Sequence, residues 1–433
     1  MKLVLTDFDN KASQRLLKNF DQSNIQYRHV TAHYDGFSVD SVLNPFAFHI
    51  GAIGQADQHL YFNQVNVPEF YEVRNENGSR AQILQGDNVV GYVIYAAGGK
   101  RIVKEVQWLA RNGKTTLVER YNRQGQKFAD SIFGKDGKES KVIYYKADEI
   151  VITYDVPTKS VHLNQTGQTF ANLNDFVLDY VKNIVLAEND IDEVIFNNLS
   201  TPYFVSRGLA VKSSFYFQEL IKNEIPGNML QIMAGNTKTS RILFENNKQL
   251  KRVEFLVKEQ NILVKTDLKY LGNIEKFRRE NHFRQKMLTI TRSDAILHDE
   301  TIATKFKDYE WTIAAPTNVS DKLKNFGKTH ENVTVLEQIR LKEIDDLLEN
   351  HDYYLDLNQA QEVENVIERA YFEGLVVIGD QKVVKNGNYE LVLVKEEEIT
   401  DLLAREDKDF ALRILHTKKG SPATISDYQT AFN

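Results

Sequence analysis

The sequence predicts an α/β protein with two doubly wound domains and an antiparallel β-sheet inserted into the first. Three observations support this fold class: apolar runs alternate with amphipathic runs towards both ends of the chain, evenly spaced glycines interrupt this pattern, and a charged stretch divides it. We assign residues 1–34 and 165–270 to the first domain, 35–164 to the inserted sheet, and 271–433 to the second domain with a C-terminal helix.

The inserted sheet is predicted from three glycines that lie twelve residues apart, Gly113, Gly125 and Gly137. Each follows a polar residue, and pairs such as Asn-Gly and Asp-Gly supply the positive φ angles that a two-residue hairpin turn requires. Runs of aromatic, β-branched and charged residues separate the glycines. The spacing therefore predicts a long antiparallel meander, with strands at 115–121, 128–133 and 140–145.

The first domain shows alternating strand and helix patterns on both sides of the insertion. Polar residues follow the predicted strands, and Gly235 would close the last of them. The expected elements are a strand at 2–5, a helix ending at 20, a helix from 174, a strand at 193–197, a helix at 215–221 and a strand at 229–233.

Residues 265–286 carry charge but little periodicity, and we interpret them as a linker. A second α/β series follows it, and ligands of such sheets bind beyond the carboxyl ends of the strands. The expected elements are strands at 287–291, 311–315, 333–336, 353–357 and 375–379, helices at 321–326 and 342–350, and a terminal helix at 426–432.

The composition is typical of a soluble protein in a reducing compartment. The 433 residues include no cysteine, which excludes disulfides and thiolate metal sites. The N-terminus turns polar too early for a signal peptide, and no apolar run approaches the roughly 18 residues of a membrane span. The net charge of −6 argues against nucleic acid as the main ligand. We therefore expect a cytoplasmic protein.

Positive charge is concentrated in the predicted sheet, since residues 100–146 hold twelve Lys or Arg against five Asp or Glu. In one interpretation, lysines protect the edges of the sheet from pairing. In the other, the charge attracts an acidic partner or anionic lipid headgroups, each basic residue near a membrane contributing on the order of 1 kcal/mol. The lipid interpretation would place the protein peripherally on the cytoplasmic face of the membrane.

Motifs of the common enzyme classes are absent from the sequence. It contains no G-x-G-x-x-G, Walker A, H-E-x-x-H or G-x-S-x-G motif, and its ten histidines show no metal-ligand spacing. Gly98-Gly99-Lys100 predicts a turn. We expect neither a cofactor nor a metal.

Several segments nevertheless resemble a known family. The segments LYFNQVNVPEFY from Leu60 and RYNRQGQKFA from Arg120 resemble the inserted sheet of the stabilising subunit of the accessory Sec O-glycosyltransferase. In the second domain, TRSD from Thr291, IAAPTNVS from Ile313 and DYYLDLN from Asp352 are similar to the same family. The resemblance covers nearly the whole chain.

This resemblance implies a glycosyltransferase-B-like pair of Rossmann domains with an inserted sheet. It implies a non-catalytic co-activator and chaperone of a related O-GlcNAc transferase, which glycosylates serine-rich repeat adhesins before accessory Sec export. The implied partners are the catalytic subunit, in a heterodimer or heterotetramer, and the unfolded Ser/Thr-rich adhesin polypeptide.

Four residues are similar in position to the donor site of retaining glycosyltransferases. Such enzymes look alike in a Glu-x7-Glu pair and in an Arg followed five residues later by Lys. Glu368 looks like the second glutamate, but Ala360 stands at the first position; Arg292 fits the arginine, but Leu297 stands at the lysine position. An alanine cannot hold a sugar hydroxyl, and one arginine matches a diphosphate poorly. Helix capping or a surface ion pair is the alternative role for Glu368 and Arg292.

Two surfaces are expected to bind the partners. Aromatic residues of the inserted sheet would dock the catalytic subunit, although the same rings could pack onto the first domain: Tyr61, Phe62, Phe70, Tyr71, Trp108, Tyr121 and Phe128. Polar strand ends on the first-domain side of the cleft between the Rossmann domains would bind the acceptor, although loop closure is the alternative: Asn197, Asn198, Thr201, Gly235, Asn236 and Thr237.

Two other functions stay open at the level of the sequence. One is a catalytically active retaining glycosyltransferase with an atypical donor site, which Ala360 and Leu297 disfavour. The other is a sugar- or peptide-binding module unconnected to transfer, which the long resemblance disfavours.

Overall fold

The contacts within the chain divide it into two compact units. One unit comprises Met1–Glu245, Gln249–Leu271 and the C-terminal helix, and the other comprises Asn246–Lys248 and Gly272–Thr424. The structure is a computed structural model that describes residues 1–52, 58–96, 100–387, 389–419 and 422–432. Gly98 and Gly99 of the predicted turn lie outside the described residues.

The first unit contains a parallel sheet of seven strands, numbered along the whole chain as β1 (Lys2–Thr6), β2 (Tyr27–Thr31), β3 (Val42–Leu43), β14 (Glu193–Phe196), β15 (Ser213–Phe217), β16 (Thr239–Phe244) and β17 (Asp267–Tyr270). The strands lie in the order β17-β16-β15-β14-β1-β2-β3. The helices of this unit are α1 (Lys11–Gln22), α2 (Pro45–Ile50), α3 (Leu173–Tyr180), α4 (Leu186–Glu188), α5 (Thr201–Gly208), α6 (Gly227–Met233), α7 (Asn247–Glu259) and α14 (Ile425–Phe432). A π-helical turn (Val181–Val185) joins α3 to α4.

Two elements of the first unit are the reverse of the sequence prediction. The expected helix at 215–221 begins as strand β15, which ends at Phe217, and the expected strand at 229–233 is helix α6. Every residue of β15 is buried, so no polar alternation marks it as a strand, and a short apolar run fits either element. Gly235 therefore follows a helix rather than a strand.

The C-terminal helix α14 packs on the first unit, whereas the sequence assigned it to the second domain, 271–433. Asn19 Nδ2 donates to Tyr428 Oη at 2.8 Å, and Tyr428 Oη lies 2.9 Å from Tyr216 Oη. The rings of Phe20 and Phe432 meet edge to face at 4.8 Å. An amphipathic segment carries no information about which neighbour covers it, so only the tertiary contacts decide this assignment. The other domain boundaries stay predictions.

The second sheet of the first unit is antiparallel and has ten strands: β4 (Tyr71–Asn75), β5 (Arg80–Gln85), β6 (Asn88–Tyr95), β7 (Val103–Leu109), β8 (Thr115–Tyr121), β9 (Lys127–Phe133), β10 (Glu139–Lys146), β11 (Glu149–Asp155), β12 (Val161–Leu163) and β13 (Thr169–Phe170). Each strand pairs with its neighbours in sequence, so the predicted meander is confirmed.

The three evenly spaced glycines close three turns of one kind. Gly113, Gly125 and Gly137 have φ angles of 78°, 74° and 80°. Each glycine N–H donates to the carbonyl three residues earlier, as from Gly113 to Ala110 at 2.9 Å, and Ala110 N–H donates to Lys114 O. This pattern is a three-residue loop in which glycine forms a bulge, rather than the predicted two-residue turn.

The two halves of the antiparallel sheet are covered by different segments. Strands β9–β12 pack against α2 and α3, and Phe46 of α2 stacks on Tyr144 at 4.5 Å. Strands β5–β7 bury their apolar side chains against the segment that precedes β4, through Leu60, Phe62 and Val65.

The second unit is built on a parallel sheet of six strands: β18 (Lys286–Ile290), β19 (Glu310–Ala314), β20 (Val333–Leu336), β21 (Tyr353–Asp356), β22 (Val376–Asp380) and β23 (Leu391–Leu393). They lie in the order β20-β19-β18-β21-β22-β23, and all pairs are parallel. The helices are α8 (Asp299–Lys305), α9 (Asp321–Thr329), α10 (Leu341–Asn350), α11 (Val366–Phe372), α12 (Glu396–Ala404) and α13 (Phe410–Lys419).

The segment 265–286, predicted as a linker, contains the boundary between the two units, which falls after Leu271, and parts of it are held by each unit. Its first part contains strand β17, and its last part is held by the fully buried Asp352. Arg279 Nη1 and Arg284 Nε each donate to this carboxylate at 2.8 Å. Both arginines favour the ionised carboxylate and lower the pKa of Asp352 against the opposing effect of burial. Two of the charges in this segment, those of Arg279 and Arg284, are therefore partners of a buried acid.

Gly125→Ala should destabilise the first unit more than Gly113→Ala. Both glycines have left-handed backbones, and a side chain there costs about 1–2 kcal/mol. A Cβ at Gly125 would also lie 2.5 Å from Gln58 O and 2.9 Å from Leu60 N, whereas a Cβ at Gly113 meets open space. We expect roughly 1–3 kcal/mol of additional loss in Gly125→Ala, measured by urea unfolding. Equal losses would contradict a close contact between this turn and the covering segment.

Candidate functional site

The four residues that resemble a donor site lie at one edge of the second unit's sheet. Arg292 and Leu297 lie in the loop after β18, Ala360 lies in the loop after the neighbouring β21, and Glu368 lies in the first turn of α11. Loops that follow parallel strands meet at the carboxyl edge of the sheet. The structure therefore brings together the four residues that the sequence grouped.

The surroundings of these residues contain little that would bind a nucleotide sugar. Arg292 is exposed, and it forms no ion pair with any other described residue. Leu297 packs against the apolar core. Ala360 N–H donates to Asn358 Oδ1 at 3.2 Å, and Glu368 Oε1 accepts from Tyr389 Oη at 3.2 Å.

A buried ion cluster occupies the same carboxyl edge, and the sequence analysis missed it. Lys385 Nζ lies 2.6 Å from Asp356 Oδ1 and 2.8 Å from Asn358 O. Asp356 is 1% exposed, and Glu390 is fully buried beside it. The backbone N–H of Asn386 donates to Glu390 Oε1 at 2.7 Å. These residues come from two separate loops and a strand end, so no short motif in the sequence could have indicated the cluster.

The two buried acids of the cluster behave as a pair. Burial, together with the charge of Asp356, raises the pKa of Glu390 to about 7, and burial also raises the pKa of Asp356. Asp356 Oδ2 and Glu390 Oε2 have no other hydrogen-bond partner. The raised pKa values favour a state in which the pair holds one proton, since two neighbouring carboxylates do not both ionise readily.

A second ionic group at this edge is centred on His298. Its Nε2 lies 2.9 Å from Asp380 Oδ2 at the end of β22, and its Nδ1 lies 2.8 Å from Glu396 Oε2. The carboxyl edge is therefore rich in acids and has few cations free to pair with a ligand. A diphosphate site normally combines several cations and oriented donors, whereas the cation-forming His298 here faces two acids of the chain.

The carboxyl edge of the first unit's parallel sheet presents hydrogen-bonding groups. Asn197 Nδ2 donates to Gln218 Oε1 at 3.0 Å, and Gln218 Nε2 donates to Glu245 Oε1 at 2.9 Å. Arg15 binds Glu245 through two hydrogen bonds of 3.1 and 3.0 Å. Asn197 is 8% exposed, and its Oδ1 has no hydrogen-bond partner. This oxygen is buried, and the described residues leave it unpaired.

The loop after β1 extends this edge. Asp7 accepts from Ser200 Oγ and leaves its Oδ1 without a partner. Phe8 is 47% exposed and stacks on His33, with ring centroids 4.7 Å apart. Asn198 Nδ2 donates to Glu219 Oε1 at 2.9 Å, and burial, followed by the charge of Asp7, raises the pKa of Glu219.

The structure separates the six residues predicted to bind the acceptor. Asn197, Asn198 and Thr201 follow β14 at the carboxyl edge, although Thr201 is 8% exposed. Gly235, Asn236 and Thr237 connect α6 to the start of β16, so they lie at the amino edge. A strand of five to six residues separates the two edges by about 17–20 Å. The error follows from reading α6 as a strand, and a joint site at one edge is wrong.

The aromatic residues predicted to bind a partner differ in exposure. Phe128 is 3% exposed and belongs to the core under α2, so it cannot form a docking surface. Phe70 is 86% exposed and Tyr61 is 41% exposed. The other four pack at the margin of the sheet's apolar core and are partly accessible: Phe62, Tyr71, Trp108 and Tyr121.

The described part of the chain shows neither a metal-binding cluster nor a membrane-spanning helix. Those residues contain no group of three or more His, Asp or Glu that could hold a metal ion. Within the same ranges, no helix combines the length and apolar character needed to cross a membrane.

Solved structures with the same fold define the class of this protein. A chain from a crystal structure of a GtfA/B complex bound to UDP and GlcNAc superimposes with a TM-score of 0.83 at 24% identity and covers 99% of both chains. A chain from accessory secretory protein 1, 2 and 3 of Streptococcus pneumoniae gives a TM-score of 0.64 at 12% identity and covers 100% of this chain and 98% of that one. The protein is therefore glycosyltransferase-like in fold, as the sequence predicted.

Sequence comparisons identify the family within this class. Three domain models match: the GtfB middle domain at 71–171, the GtfB third domain at 174–256 and the GftB/GlyA-F C-terminal domain at 287–410. The UDP-N-acetylglucosamine–peptide N-acetylglucosaminyltransferase stabilizing protein GtfB of Streptococcus parasanguinis is 30% identical over 83% of this chain and 82% of its own length. The Streptococcus gordonii protein of that name is 27% identical over 89% and 86%. The chain belongs to this family of GtfB stabilizing proteins, which confirms the resemblance seen in the sequence.

Glu390→Gln should flatten the pH dependence of stability of the second unit. The ordinary pKa of Glu390 is 4.5, and it rises to about 7 in the folded protein. Protonated Glu390 therefore stabilises the fold below about pH 4.5, and this contribution, at most about 3 kcal/mol, is lost as the pH rises through 7. Glutamine stays neutral, so the variant should be the more stable one at pH 8.

The measurement is urea unfolding between pH 5 and 8, followed by fluorescence of the buried Trp311 in a Trp108→Phe background. Glu349→Gln, which removes a carboxylate at an exposed position, is the control. An equally steep pH profile in Glu390→Gln would contradict the shared proton.

Proposed function

We propose that this protein is a non-catalytic subunit that stabilises a GtfA-type O-GlcNAc transferase and binds the polypeptide acceptor. The observation that carries the proposal is the ion cluster of Asp356, Lys385 and Glu390 at the edge where a doubly wound sheet binds its ligand. The chain belongs to a family of stabilizing proteins, and its own side chains occupy the edge where a donor would bind. Both observations support a non-catalytic role.

The loss of donor binding follows from charge and shape. Lys385 is already neutralised by Asp356, and Arg292 is the remaining cation of the predicted donor set. Leu297 and Ala360 can provide neither a charge nor a hydrogen bond from their side chains. Opening the site would expose Asp356 without its partner, and breaking a buried ion pair costs about 3–5 kcal/mol.

We place the docking surface for the transferase on the antiparallel sheet, where Tyr61 is exposed and the rings of Phe62, Tyr71, Trp108 and Tyr121 are partly accessible. Interfaces favour aromatic residues that present an apolar body and a polar tip. The complex would be a heterodimer or a heterotetramer.

The acceptor would bind at the carboxyl edge of the first unit's parallel sheet. The half-buried side chain of Asn198 and the exposed ring of Phe8 would contact it, whereas Asn197 Oδ1 and Asp7 Oδ1 are buried. An unfolded Ser/Thr-rich adhesin polypeptide carries many N–H and O–H donors and little apolar area. Ordering such a chain costs entropy, so binding should be weak per contact and distributed over repeats.

We propose a cytoplasmic location at the inner face of the membrane, where the adhesin would be modified before export. Four exposed cations support a peripheral contact: Arg111 and Lys114 in the β7–β8 turn, and Lys135 and Lys138 in the β9–β10 turn. Alternate hairpin turns of a meander lie at the same end of the sheet, so the four cations lie at one end.

The chain alone should transfer no sugar, and it should raise the activity of its partner. Purified chain, a GtfA-type transferase from the same organism, and their mixture are incubated with radiolabelled UDP-N-acetylglucosamine and a Ser/Thr-rich peptide. We expect no incorporation with the chain alone and more with the mixture than with the transferase alone. Incorporation by the chain alone would establish the competing function, an active transferase with an atypical donor site.

Asn197→Ala combined with Asn198→Ala should weaken binding of an unglycosylated Ser/Thr-rich peptide roughly tenfold. Each lost hydrogen bond contributes about 0.5–1.5 kcal/mol, and fluorescence anisotropy of a labelled peptide measures the change. Asn236→Ala is the matched control, since Asn236 lies at the opposite edge of the same sheet. A loss of affinity confined to Asn236→Ala would move the acceptor site to the amino edge.

A further inference from the structure

The parallel sheet of the first unit lacks a helix at a place where such sheets usually have one. Strands β1, β2 and β3 lie side by side in this order and are parallel, so right-handed connections place both crossovers on the same face. Helix α1 forms the first crossover, whereas residues 32–41, which form the second, contain no helix. Parallel strands are usually joined by a helix. The face of β2 and β3 beside α1 is therefore left without its usual cover.

A groove with a volume of about 710 Å³ lies at this place, and we call it the α1–β2 groove. Its volume is in the range of small-molecule sites, roughly 300–1,000 Å³. Apolar side chains line it from α1, from the turn before β2, from the β2–β3 connection and from β3: Leu17, Ile25, Val39 and Val42. A ligand with an apolar body would find contacts along these elements.

His29 of β2 brings a buried, unpaired hydrogen-bond acceptor to the groove. Its side chain is 2% exposed, and its Nδ1 has no hydrogen-bond partner among the described residues. Its Nε2 lies 2.8 Å from Thr6 Oγ1, and this hydroxyl donates to Phe8 O, so Nε2 carries the proton. Burial lowers the pKa of His29 to about 4, so the ring is neutral at pH 7 and Nδ1 has a lone pair. The groove therefore lacks one hydrogen-bond donor.

Two carboxylates line the groove at opposite ends of α1. Asp9 precedes the helix and Asp21 lies in its last turn, so the helical rise separates them by roughly 16–18 Å. Asp9 accepts from Gln14 Nε2 at 3.2 Å, and Asp21 accepts from Tyr27 Oη at 3.0 Å. Neither carboxylate forms an ion pair with another described residue. Burial raises the pKa of Asp9, as expected for a carboxylate without a neighbouring cation.

Three cations also line the groove, and two of them contact residues outside its lining. Arg28 Nε donates to Asn189 Oδ1 at 3.0 Å, and the ammonium of Met1 lies 3.8 Å from Asp192 Oδ1. The third is Lys18, on an exposed position of α1. The two carboxylates and the imidazole thus present acceptors to a ligand, and Lys18 presents a like charge to any cation that binds there.

We propose that the α1–β2 groove binds a linear polyamine, with one ammonium group at Asp9, another at Asp21 and an N–H of the chain between them donated to Nδ1 of His29. Hydrogen bonds from an ammonium to a carboxylate are among the stronger ones in proteins. The methylene segments would lie on Leu17 and Val42, as the stems of lysine side chains cover apolar surface. This site is independent of the proposed function, because it needs neither a transferase nor an acceptor.

The length of the ligand tests the two-ended mode. Isothermal titration calorimetry of the full chain is made at about 0.15 M salt, which screens attraction between separated surface charges. The tetraamine spermine can reach both carboxylates and should bind one per chain, at least roughly tenfold more tightly than the diamine putrescine, which reaches only one. Equal affinity for putrescine, or for Mg²⁺, would overturn the proposal.

Removing either carboxylate tests the site itself. Asp9→Asn and Asp21→Asn should each weaken spermine binding roughly tenfold. An amide oxygen still accepts from Gln14 or Tyr27, so neither substitution removes a hydrogen bond within the chain. Glu254→Gln is the matched control, since it removes one negative charge from an exposed position of α7 outside the groove. An equal loss of affinity in Glu254→Gln would indicate unspecific attraction and overturn the proposal.

Lys18→Gln should have the opposite effect. It removes the like charge beside the ligand and keeps a good helix former on α1, so spermine should bind more tightly than to the wild type. Weaker binding in Lys18→Gln would contradict a cationic ligand.

The role of His29 has a spectroscopic signature. An unprotonated imidazole nitrogen shifts upfield in its ¹⁵N resonance when it accepts a hydrogen bond. Saturation with spermine should shift the Nδ1 resonance of His29 in this way, with the signal assigned through its loss in His29→Gln. An unchanged Nδ1 resonance at saturation would remove His29 from the site.

Lysine side chains of a polypeptide offer the same alkylammonium chemistry, and trilysine distinguishes this source from a free polyamine. Its ammonium groups lie on separate branches of a peptide, so trilysine should bind at least roughly tenfold more weakly than spermine. Trilysine that binds as tightly as spermine, with the same losses in Asp9→Asn and Asp21→Asn, would overturn the assignment to a free polyamine.

Discussion

The function of both parallel sheets depends on one geometric constraint: the loops that follow parallel strands meet at a single edge. The side chains on those loops decide what that edge can bind. In the second unit, Lys385 joins Asp356 and Asn358 across this edge, so the polypeptide supplies its own cation where a donor site would need free ones. In the first unit, the corresponding edge leaves Asn197 Oδ1 and Asp7 Oδ1 without partners.

The two carboxyl edges differ in how completely their polar groups are paired with other residues of the chain. A buried charge is tolerated only when it is paired, and the second unit meets this condition with its own residues at Asp356, Asp380 and Asp352. In the first unit, hydrogen bonds link Asn197, Gln218, Glu245 and Arg15, and two buried oxygens at this edge have no partner among the described residues. The first unit is consequently the better candidate for a polar, extended ligand.

The antiparallel sheet follows a different rule, in which local turn chemistry determines the ends of the strands. Gly113, Gly125 and Gly137 adopt positive φ angles, and the bulged loop that each closes repeats every twelve residues. Such turns are local, so the sequence alone predicted the meander and the limits of β8 to within a residue. What covers each half of the sheet is not local: α2 packs on one half and the segment around Leu60 packs on the other.

The sequence by itself determined the elements whose signals are short-range. It identified the meander, five of the six parallel strands of the second unit, the family, and the grouping of Arg292, Leu297, Ala360 and Glu368 at one strand edge. Tertiary structure alone decided whether the apolar runs at 215–221 and 229–233 became strand or helix, because both are apolar and short enough for either. It also decided the position of α14 and the ion cluster at Lys385, since these depend on contacts between residues far apart in the chain, which carry no local pattern.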